Sequence, residues 1–205
     1  GRILALEFSV NRSRHEAVWF DRDGSGQGEY FSFDGRSLRK AFLQHPVEFS
    51  RISSGFSHAR MHPILKYTRE HKGVDFAAPI GTKVRSSGDG VVEFIGQQRG
   101  YGNVIEIRHR NGVSTLYAHL NGFASGLSHG SRVAQGEVIG FVGTTGWSTG
   151  PHLHYEFKVD GDQVDPLSVV MPESAPLDAG ERDRFVVQTS GLRTRLAQLD
   201  GVVRL

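Results

Sequence analysis

The chain has 205 residues, of which 38% are hydrophobic, so it is long enough to fold around a substantial core and is not disordered as a whole. Its 24 basic and 22 acidic residues are spread along the sequence and give a net charge of +2, so no basic block marks a nucleic-acid surface. The absence of cysteine excludes disulfides and thiolate metal sites, and any metal site must use histidine and carboxylate ligands.

The sequence contains no candidate for a membrane-spanning helix, because no apolar run approaches the roughly 18 to 20 residues that a span needs. Residues 1–6 lack the form of a signal peptide. The first residue is glycine rather than methionine, and we therefore expect that a signal or anchoring segment has been removed.

The N-terminal part is predicted to be a small α+β segment. Residues 17–20 and 29–33 have strand-like composition and are joined by the turn-rich residues 21–26, which predicts a hairpin. Apolar side chains at helical spacing in residues 37–44 predict a short helix that ends before a His-Pro pair. We place the boundary of this segment at residue 48.

The central part is dominated by β signals. Asn111-Gly112 lies between two apolar runs and is the dipeptide that a type I′ turn favours, which predicts a hairpin there. Short strands separated by glycine-containing turns favour a mainly β fold, an antiparallel β-sandwich or open barrel. The predicted strands are residues 91–95, 104–107, 114–117, 138–142 and 153–157.

A weak internal repeat is also present. Residues 81–84 and 88–92 are similar to residues 130–133 and 136–139, which predicts a hairpin unit that occurs twice.

The C-terminal part is predicted to be helical. Apolar residues between positions 177 and 199 form a helical stripe that is interrupted near Gly191. The predicted domains are therefore a small α+β segment over residues 1–48, a mainly β domain over residues 49–170 and a helical tail over residues 171–205.

Two short patterns carry potential metal ligands. His152 and His154 are two positions apart in a strand-like run, and since a strand sends alternate side chains to one face, both imidazoles project to the same side. His71 and Asp75 flank three residues that include Gly73, which argues against a stable helix; a bent segment can still deliver both to one ion. Each pattern alone is common by chance.

These patterns and their surroundings resemble the lysostaphin-type, or LytM-like, zinc metallopeptidases, whose signature is His-x-x-x-Asp followed far downstream by His-x-His. The similarity extends over roughly residues 50 to 170 and keeps the order of the family's sequence blocks, which makes coincidence implausible. The matching blocks are Arg60-Met61-His62-Pro63, residues 71–82, Gly88-Asp89-Gly90, Gly102-Asn103-Val104, Tyr117-Ala118-His119-Leu120 and residues 150–156.

The resemblance implies a LytM-like catalytic domain with one Zn²⁺ per chain. By motif, His71, Asp75 and His154 correspond to the zinc ligands, and His119 and His152 to the two catalytic histidines that do not bind the metal. The resemblance does not divide the roles of these two histidines. Arg60 stands where the family has an arginine beside the site, and we expect it to bind a carboxylate of the substrate, although a structural or solvated arginine is an equal alternative.

The expected activity is hydrolysis of peptide cross-links in bacterial peptidoglycan, between D-alanine and meso-diaminopimelate. The N-terminal piece, from Gly1 through Leu38, is similar to the segment that precedes the catalytic domain in Gram-negative cell-wall endopeptidases of this family, which implies the periplasm or cell envelope. We expect a monomer that acts on stem peptides and binds no nucleic acid. The alternative is a non-catalytic LytM-like activator of a cell-wall amidase, but such members have lost metal ligands.

One loop is expected to border the substrate groove. Residues 143–150 combine several glycines with Trp147, and a flexible backbone beside an aromatic side chain suits peptide or sugar binding. A plain loop with a packed tryptophan is the alternative.

Overall fold

The structure, a computed structural model, describes residues 1–10, 13–24, 26, 28–48, 51–61, 68–169 and 176–200, without the side chains of residues 10, 58–61, 68, 69, 199 and 200. The strands, in chain order, are β1 Ala5–Val10, β2 Ser13–Phe20, β3 Glu29–Phe31, β4 Arg51–Ser54, β5 Ser57–Met61, β6 Thr68–His71, β7 Val74–Ala77, β8 Lys83–Arg85, β9 Gly90–Gln98, β10 Gly102–Arg108, β11 Val113–Phe123, β12 Arg132–Val133, β13 Val138–Val142, β14 His152–Val159 and β15 Asp162–Val164. The helix α1 runs from Ala179 to Asp200.

The chain forms two compact units. One contains residues 1–41 and 171–205, and the other contains residues 42–170. The sequence-based division into residues 1–48, 49–170 and 171–205 stays a prediction about domains.

The unit of residues 42–170 is built on an open antiparallel sheet. Its strand order is β12-β9-β10-β11-β14-β7-β4, with β15 beside β14 and with β13 between β11 and β8. The strands β5 and β6 form a separate pair. This architecture confirms the predicted mainly β, antiparallel fold class.

The predicted hairpin at Asn111-Gly112 is confirmed. Strand β10 pairs antiparallel with β11, and Asn111 and Gly112 have φ angles of 57° and 70°. Both residues therefore have the positive φ that a type I′ turn requires.

The large buried hydrophobic side chains of β14 lie on one face of this sheet. Alternation along β14 sends Leu153, Tyr155 and Phe157 to the same side, where each side chain is 0% exposed. Tyr155 and Tyr117 are direct partners in the pairing of β14 with β11, with ring centroids 5.4 Å apart. Aromatic packing thus anchors the central pair of strands, while the other face of β14 carries the polar side chains His152, His154 and Glu156.

A chain of hydrogen bonds runs through this core. Nδ1 of His109 lies 2.9 Å from the carbonyl oxygen of Asp89, and Nε2 lies 2.8 Å from Oγ1 of Thr115. Thr115 is linked to the Tyr117 hydroxyl, which donates to Oγ of Ser87 at 3.0 Å. Every buried side-chain polar atom in the described part of the chain has a partner, as a closely packed core requires.

The predicted repeat contains strands, but they do not form two separate hairpins. Strand β8 pairs with β13, and β9 pairs with β12, so each copy of the repeat pairs with the other copy. Backbone hydrogen bonds of 2.8 Å from Ser86 to Glu137 and from Gly136 to Ser86 join the two loops. Pairing across the copies satisfies backbone groups that two isolated hairpins would leave open.

The predicted helix over residues 37–44 is wrong. The residues there are extended or form turns, and the backbone N–H of Leu38 donates to the carbonyl of Tyr30 at 2.9 Å while that of Leu43 donates to Ser87 at 2.6 Å. These long-range bonds replace the local bonds of a helix, so tertiary pairing overrides the helical spacing of the apolar side chains.

The other unit contains the sheet β1-β2-β3 and helix α1. The predicted hairpin is confirmed by the antiparallel pairing of Val18 with Phe31. The predicted C-terminal helix is also confirmed, but it continues through Gly191 without interruption. Val18, Phe20, Phe31, Leu177 and Phe185 form the buried cluster of this unit.

The start of α1 has a capping box. The N–H of Glu181 donates to Oδ1 of Asp178 at 2.7 Å, and the N–H of Asp178 donates to the Glu181 carboxylate at 2.8 Å, which satisfies donors that the first turn leaves open. Among the described residues, no helix combines the length and the apolar character that crossing a bilayer demands.

We expect protonation of His109 to lower the free energy of unfolding as the pH drops below about 6.5. Burial lowers the pKa of His109, so the unfolded chain binds a proton at this residue more readily than the folded chain does. His109→Gln keeps a donor and an acceptor but cannot titrate, so urea unfolding at pH 7.5 and 5.5 should show a smaller difference for this variant. The exposed His129 provides the control His129→Gln, which should behave as the wild type; an equal pH dependence in the two variants would contradict the assignment.

Candidate metal centre

Three neighbouring strands bring the predicted ligands together. His71 is the last residue of β6, and Asp75 is the second residue of β7. In the antiparallel pairing of β7 with β14, Asp75 lies directly opposite His154. The short connection at Lys72-Gly73 turns the chain between His71 and Asp75, so residues far apart in sequence share one pocket.

The donor atoms of these residues are close to one another. Oδ1 of Asp75 lies 2.8 Å from Nδ1 of His154 and 3.1 Å from Nε2 of His71, and the two nitrogen atoms are 3.3 Å apart. The three residues form a group whose potential ligand atoms all lie within 4.8 Å.

The same geometry fits a zinc ion. Zinc–ligand distances of about 2.0–2.2 Å in a tetrahedral arrangement place donor atoms roughly 3.3–3.5 Å apart. The observed separations of 2.8–3.3 Å are slightly shorter, so small rotations of the side chains are enough. Two imidazoles and one carboxylate are a donor set that zinc accepts and that leaves one coordination position open.

Outer contacts fix which nitrogen of each ring faces the pocket. Nδ1 of His71 lies 2.6 Å from the carbonyl oxygen of Gly55 and therefore donates to it, which leaves Nε2 as the donor atom toward the metal. Nε2 of His154 lies 3.1 Å from Oε1 of Glu156, which leaves Nδ1 for the metal. Such contacts orient ligand rings and fix their tautomers.

The pocket is strongly polarised. Burial raises the pKa of Asp75, but hydrogen bonds from His154 and His71 outweigh it and hold this pKa well below its usual range. Burial lowers the pKa of His154, but hydrogen bonds to Asp75 and Glu156 outweigh it and raise the pKa to about 9. His154 thus lies between two carboxylates whose hydrogen bonds favour the protonated ring.

A bulge in β11 brings His119 to the same pocket. The register between β10 and β11 shifts between Asn103 and Ile105, and His119 has a φ of 58°, a left-handed conformation that non-glycine residues rarely adopt. The ring centroid of His119 lies 4.7 Å from that of His152 and 5.9 Å from that of His154. The bulge thus turns toward the site a side chain that a regular strand would send to the opposite face.

His119 and His152 are both held through Nδ1. Nδ1 of His119 lies 2.8 Å from the carbonyl oxygen of Thr145, and Nδ1 of His152 lies 2.8 Å from that of Gly150. Each Nδ1–H therefore donates to a carbonyl, and Nε2 of each ring is left with its lone pair. Nε2 of His152 lies 3.8 Å from Oδ1 of Asp75, farther than either of the other two histidine nitrogens.

Burial gives His119 the properties of a neutral imidazole. Burial and, next, the nearby His152 lower the pKa of His119 to about 4. The ring is therefore uncharged at neutral pH and able to accept a proton or hydrogen bond at Nε2.

The sequence analysis gave no role to three residues that contact the predicted site residues: Thr145, Tyr101 and Glu156. The carbonyl of Tyr101 accepts a hydrogen bond of 2.8 Å from the His119 backbone N–H, and the Tyr101 hydroxyl donates to Glu156. Glu156 has a sequence signal, because it continues the alternation of His152 and His154 along β14. Thr145 and Tyr101 have no such alternation signal in the sequence.

Two predictions concern the surroundings of the site. Arg60 belongs to β5, but its side chain lies outside the described residues, so its contact with substrate stays a prediction. Trp147, in the loop over residues 143–150, is 44% exposed, and its backbone N–H donates to the carbonyl of Gly100 at 2.8 Å. Its indole is partly exposed on a loop whose residues Thr145 and Gly150 hold His119 and His152.

Comparisons with known proteins identify the family of this fold and site. Residues 69–166 match the model described as "Peptidase family M23". The chain is 47% identical over 206 residues to the DD-carboxypeptidase/endopeptidase Mpg of Neisseria meningitidis serogroup B, covering 98% of this chain and 47% of that protein. The chain thus spans about half the length of the curated relatives it matches.

Two solved structures support the same relationship. A zinc-containing peptidase from Vibrio cholerae is 34% identical, with a TM-score of 0.61 over 83% of this chain and 51% of that one. The catalytic domain of the prophage-encoded M23 protein EnpA from Enterococcus faecalis is 30% identical, with a TM-score of 0.50 over 60% of this chain and 95% of that one.

A substitution at Gly73 tests how closely the strands around the metal centre are packed. A Cβ atom at this position would lie 2.5 Å from the carbonyl oxygen of Tyr155 and 2.9 Å from the His154 ring. Gly73→Ala should therefore displace His154 and weaken zinc binding, measured by competition with a chelator, at least about tenfold. Gly122→Ala is the matched control, since a Cβ there meets nothing within 4 Å; equal zinc affinity of both variants would be evidence against this packing constraint.

Proposed function

The chain belongs to peptidase family M23, and we therefore propose that it is a zinc-dependent endopeptidase that hydrolyses the peptide cross-links of bacterial peptidoglycan. The observation that carries the proposal is the convergence of His71, Asp75 and His154 on one pocket. The presence of all three donors counts against a non-catalytic activator of a cell-wall amidase.

The substrate proposal is supported by the relatives' names. Mpg is named a DD-carboxypeptidase/endopeptidase, and ShyC of Vibrio cholerae, 39% identical over 91% of this chain, is named a peptidoglycan DD-endopeptidase. We extend this to the bond between D-alanine and meso-diaminopimelate and to action in the periplasm of a Gram-negative cell. We also infer that the chain acts as a monomer.

The proposed ligands are His71, Asp75 and His154, which would hold one Zn²⁺. Zinc with three protein ligands keeps an open position and supplies Lewis-acid activation of water and of the scissile carbonyl. The chain's own contribution begins with the outer contacts at Gly55 and Glu156, which keep the correct ring nitrogens directed at the metal.

His119 and His152 are the proposed proton-handling groups. Hydrolysis forms a C–O bond and breaks the C–N bond, so the proton that leaves the attacking water must be passed to the departing amine nitrogen. Each ring donates Nδ1–H to a backbone carbonyl, and each Nε2 is therefore able to accept a proton and then return it. The same Nε2–H, once formed, can stabilise negative charge that develops on the carbonyl oxygen. Either ring suits either step.

The proposal predicts that metal binding and turnover are separable. His71→Ala should lose the zinc ion, whereas His119→Gln should retain one zinc per chain and lose at least about 100-fold in rate, because a general acid–base group contributes about 10²–10⁴-fold. Zinc content is measured by elemental analysis, and turnover by mass spectrometry of products from cross-linked muropeptide dimers.

The exposed His129 again provides the control, since His129→Gln should retain both zinc and activity. Pentapeptide monomers tested in parallel distinguish release of a terminal D-alanine from cleavage of a cross-link. A wild-type chain that holds one zinc and leaves both substrates intact would overturn the proposed activity.

A further inference from the structure

Strand β14 carries a third polar residue on the face that bears the metal centre. His152, His154 and Glu156 occupy alternate positions, and the Glu156 side chain is only 1% exposed. Its Oε1 lies 3.1 Å from Nε2 of His154, while Nδ1 of the same ring lies 2.8 Å from Oδ1 of Asp75. The carboxylate is thus placed at the ring nitrogen opposite the one that faces the metal pocket.

The Glu156 carboxylate is itself held from several directions. The Tyr101 hydroxyl donates to Oε1 at 2.6 Å, and Nε2 of Gln163 donates to Oε2 at 3.3 Å. Nζ of Lys158 lies 4.0 Å from Oε2 and also forms an ion pair of 2.6 Å with Glu106. A buried carboxylate with this many partners has a fixed orientation, which it transmits to the His154 ring.

Tyr101 connects the Glu156 carboxylate to the proposed catalytic histidine His119. Its ring centroid lies 5.7 Å from that of His154, and its backbone carbonyl accepts the N–H of His119, the residue with the left-handed backbone. The turn that carries Tyr101 is fixed against the loop over residues 143–150, because a Cβ on Gly102 would lie 2.5 Å from the backbone carbon of Thr145. One residue therefore contacts the outer partner of a proposed metal ligand and a proposed catalytic histidine.

We propose that Glu156 and Tyr101 are positioning residues that act through His154, directing its Nδ1 at the metal and setting the metal affinity of the site. Glu156 accepts the Nε2–H of His154 and thereby leaves Nδ1 as the ring nitrogen that faces the metal pocket; Tyr101 fixes the Glu156 carboxylate. This inference rests on the proposed function only in assigning His154 as a zinc ligand, and its tests need no turnover.

The geometry also separates this role from simple packing. Glu156→Gln keeps the size of the side chain and an oxygen that can accept from His154, but it removes the negative charge. Tyr101→Phe removes only the hydroxyl and leaves the ring and the backbone bond to His119. Glu106→Gln is the matched control, because Glu106 pairs with Lys158 on the same face but does not contact His154.

The main experiment measures zinc affinity of the full chain by chelator competition. We expect Glu156→Gln to bind zinc about 10- to 100-fold more weakly and Tyr101→Phe more weakly by a smaller factor. Since Tyr101 acts through Glu156, the loss in the double variant should be smaller than the product of the two separate losses. Glu106→Gln should bind zinc as the wild type does.

Two further measurements exclude a purely structural role. The visible spectrum of the Co²⁺-loaded chain should change in Glu156→Gln and Tyr101→Phe, because the ligand field at His154 changes, and should not change in Glu106→Gln. Thermal unfolding of the metal-free chains reports folding separately. If metal-free Glu156→Gln does not fold, the comparison of Tyr101→Phe with wild type decides the question.

The proposal is overturned if Glu156→Gln or, where that variant does not fold, Tyr101→Phe binds zinc with wild-type affinity and an unchanged Co²⁺ spectrum. It is also overturned if the losses in the double variant simply multiply, since the two residues would then act independently. A wild-type chain that binds zinc without cleaving muropeptides contradicts the proposed function and not this one, whereas a chain that binds no zinc contradicts both.

Discussion

The antiparallel pairing of β7 with β14 is the constraint on which the rest of the site depends. It sets Asp75 opposite His154, while alternation along β14 directs its histidines and Glu156 to one face and its aromatic side chains to the other. A shift of one residue in this register would exchange the two faces and place imidazoles in the core. Burial of Tyr155 and Phe157, each 0% exposed, therefore stabilises the register and, through it, the position of the metal ligands.

Buried polar groups are stabilised in different ways on the two faces of the sheet. On the core face, His109, Thr115 and Tyr117 are joined by hydrogen bonds between neutral groups, and burial keeps His109 uncharged by lowering its pKa. On the site face, Asp75 and Glu156 are anionic because their hydrogen bonds from histidine outweigh burial and lower the pKa of each. Charge is thus confined to the side of the sheet where an ion can neutralise it.

Local patterns in the sequence were sufficient for features that depend on neighbouring residues. The Asn111-Gly112 hairpin follows from turn chemistry, and the common face of His152 and His154 follows from the period of a strand. The helix expected over residues 37–44 failed because its backbone donors bind Tyr30 and Ser87, which no local pattern reveals. The crossed pairing of β8 with β13 and of β9 with β12 is likewise a property of distant partners.

The position of His119 shows the same limit within the site. Its approach to His152 depends on a bulge and a left-handed φ of 58°. Strict alternation of side chains along β11 would instead direct the His119 ring to the face of the sheet opposite the site. The resemblance to a family indicated His119 because a match to family motifs reflects the fold that the members share. The match itself does not explain why this side chain reaches the site. What explains it is the pair of carbonyls, of Tyr101 and Thr145, that bind its backbone and its ring.

The charges around His154 also bear on how the site tolerates two buried carboxylates. Asp75 and Glu156 flank His154, and hydrogen bonds to them outweigh burial and raise the pKa of the ring to about 9. A zinc ion held by His71, Asp75 and His154 would take the place of the proton at Nδ1, while Glu156 would still accept the one at Nε2. The ion and this proton would therefore compete for one position beside Asp75. A cation at His154, whether the protonated ring or a metal ion bound at Nδ1, would offset the cost of burying the two carboxylates that flank it.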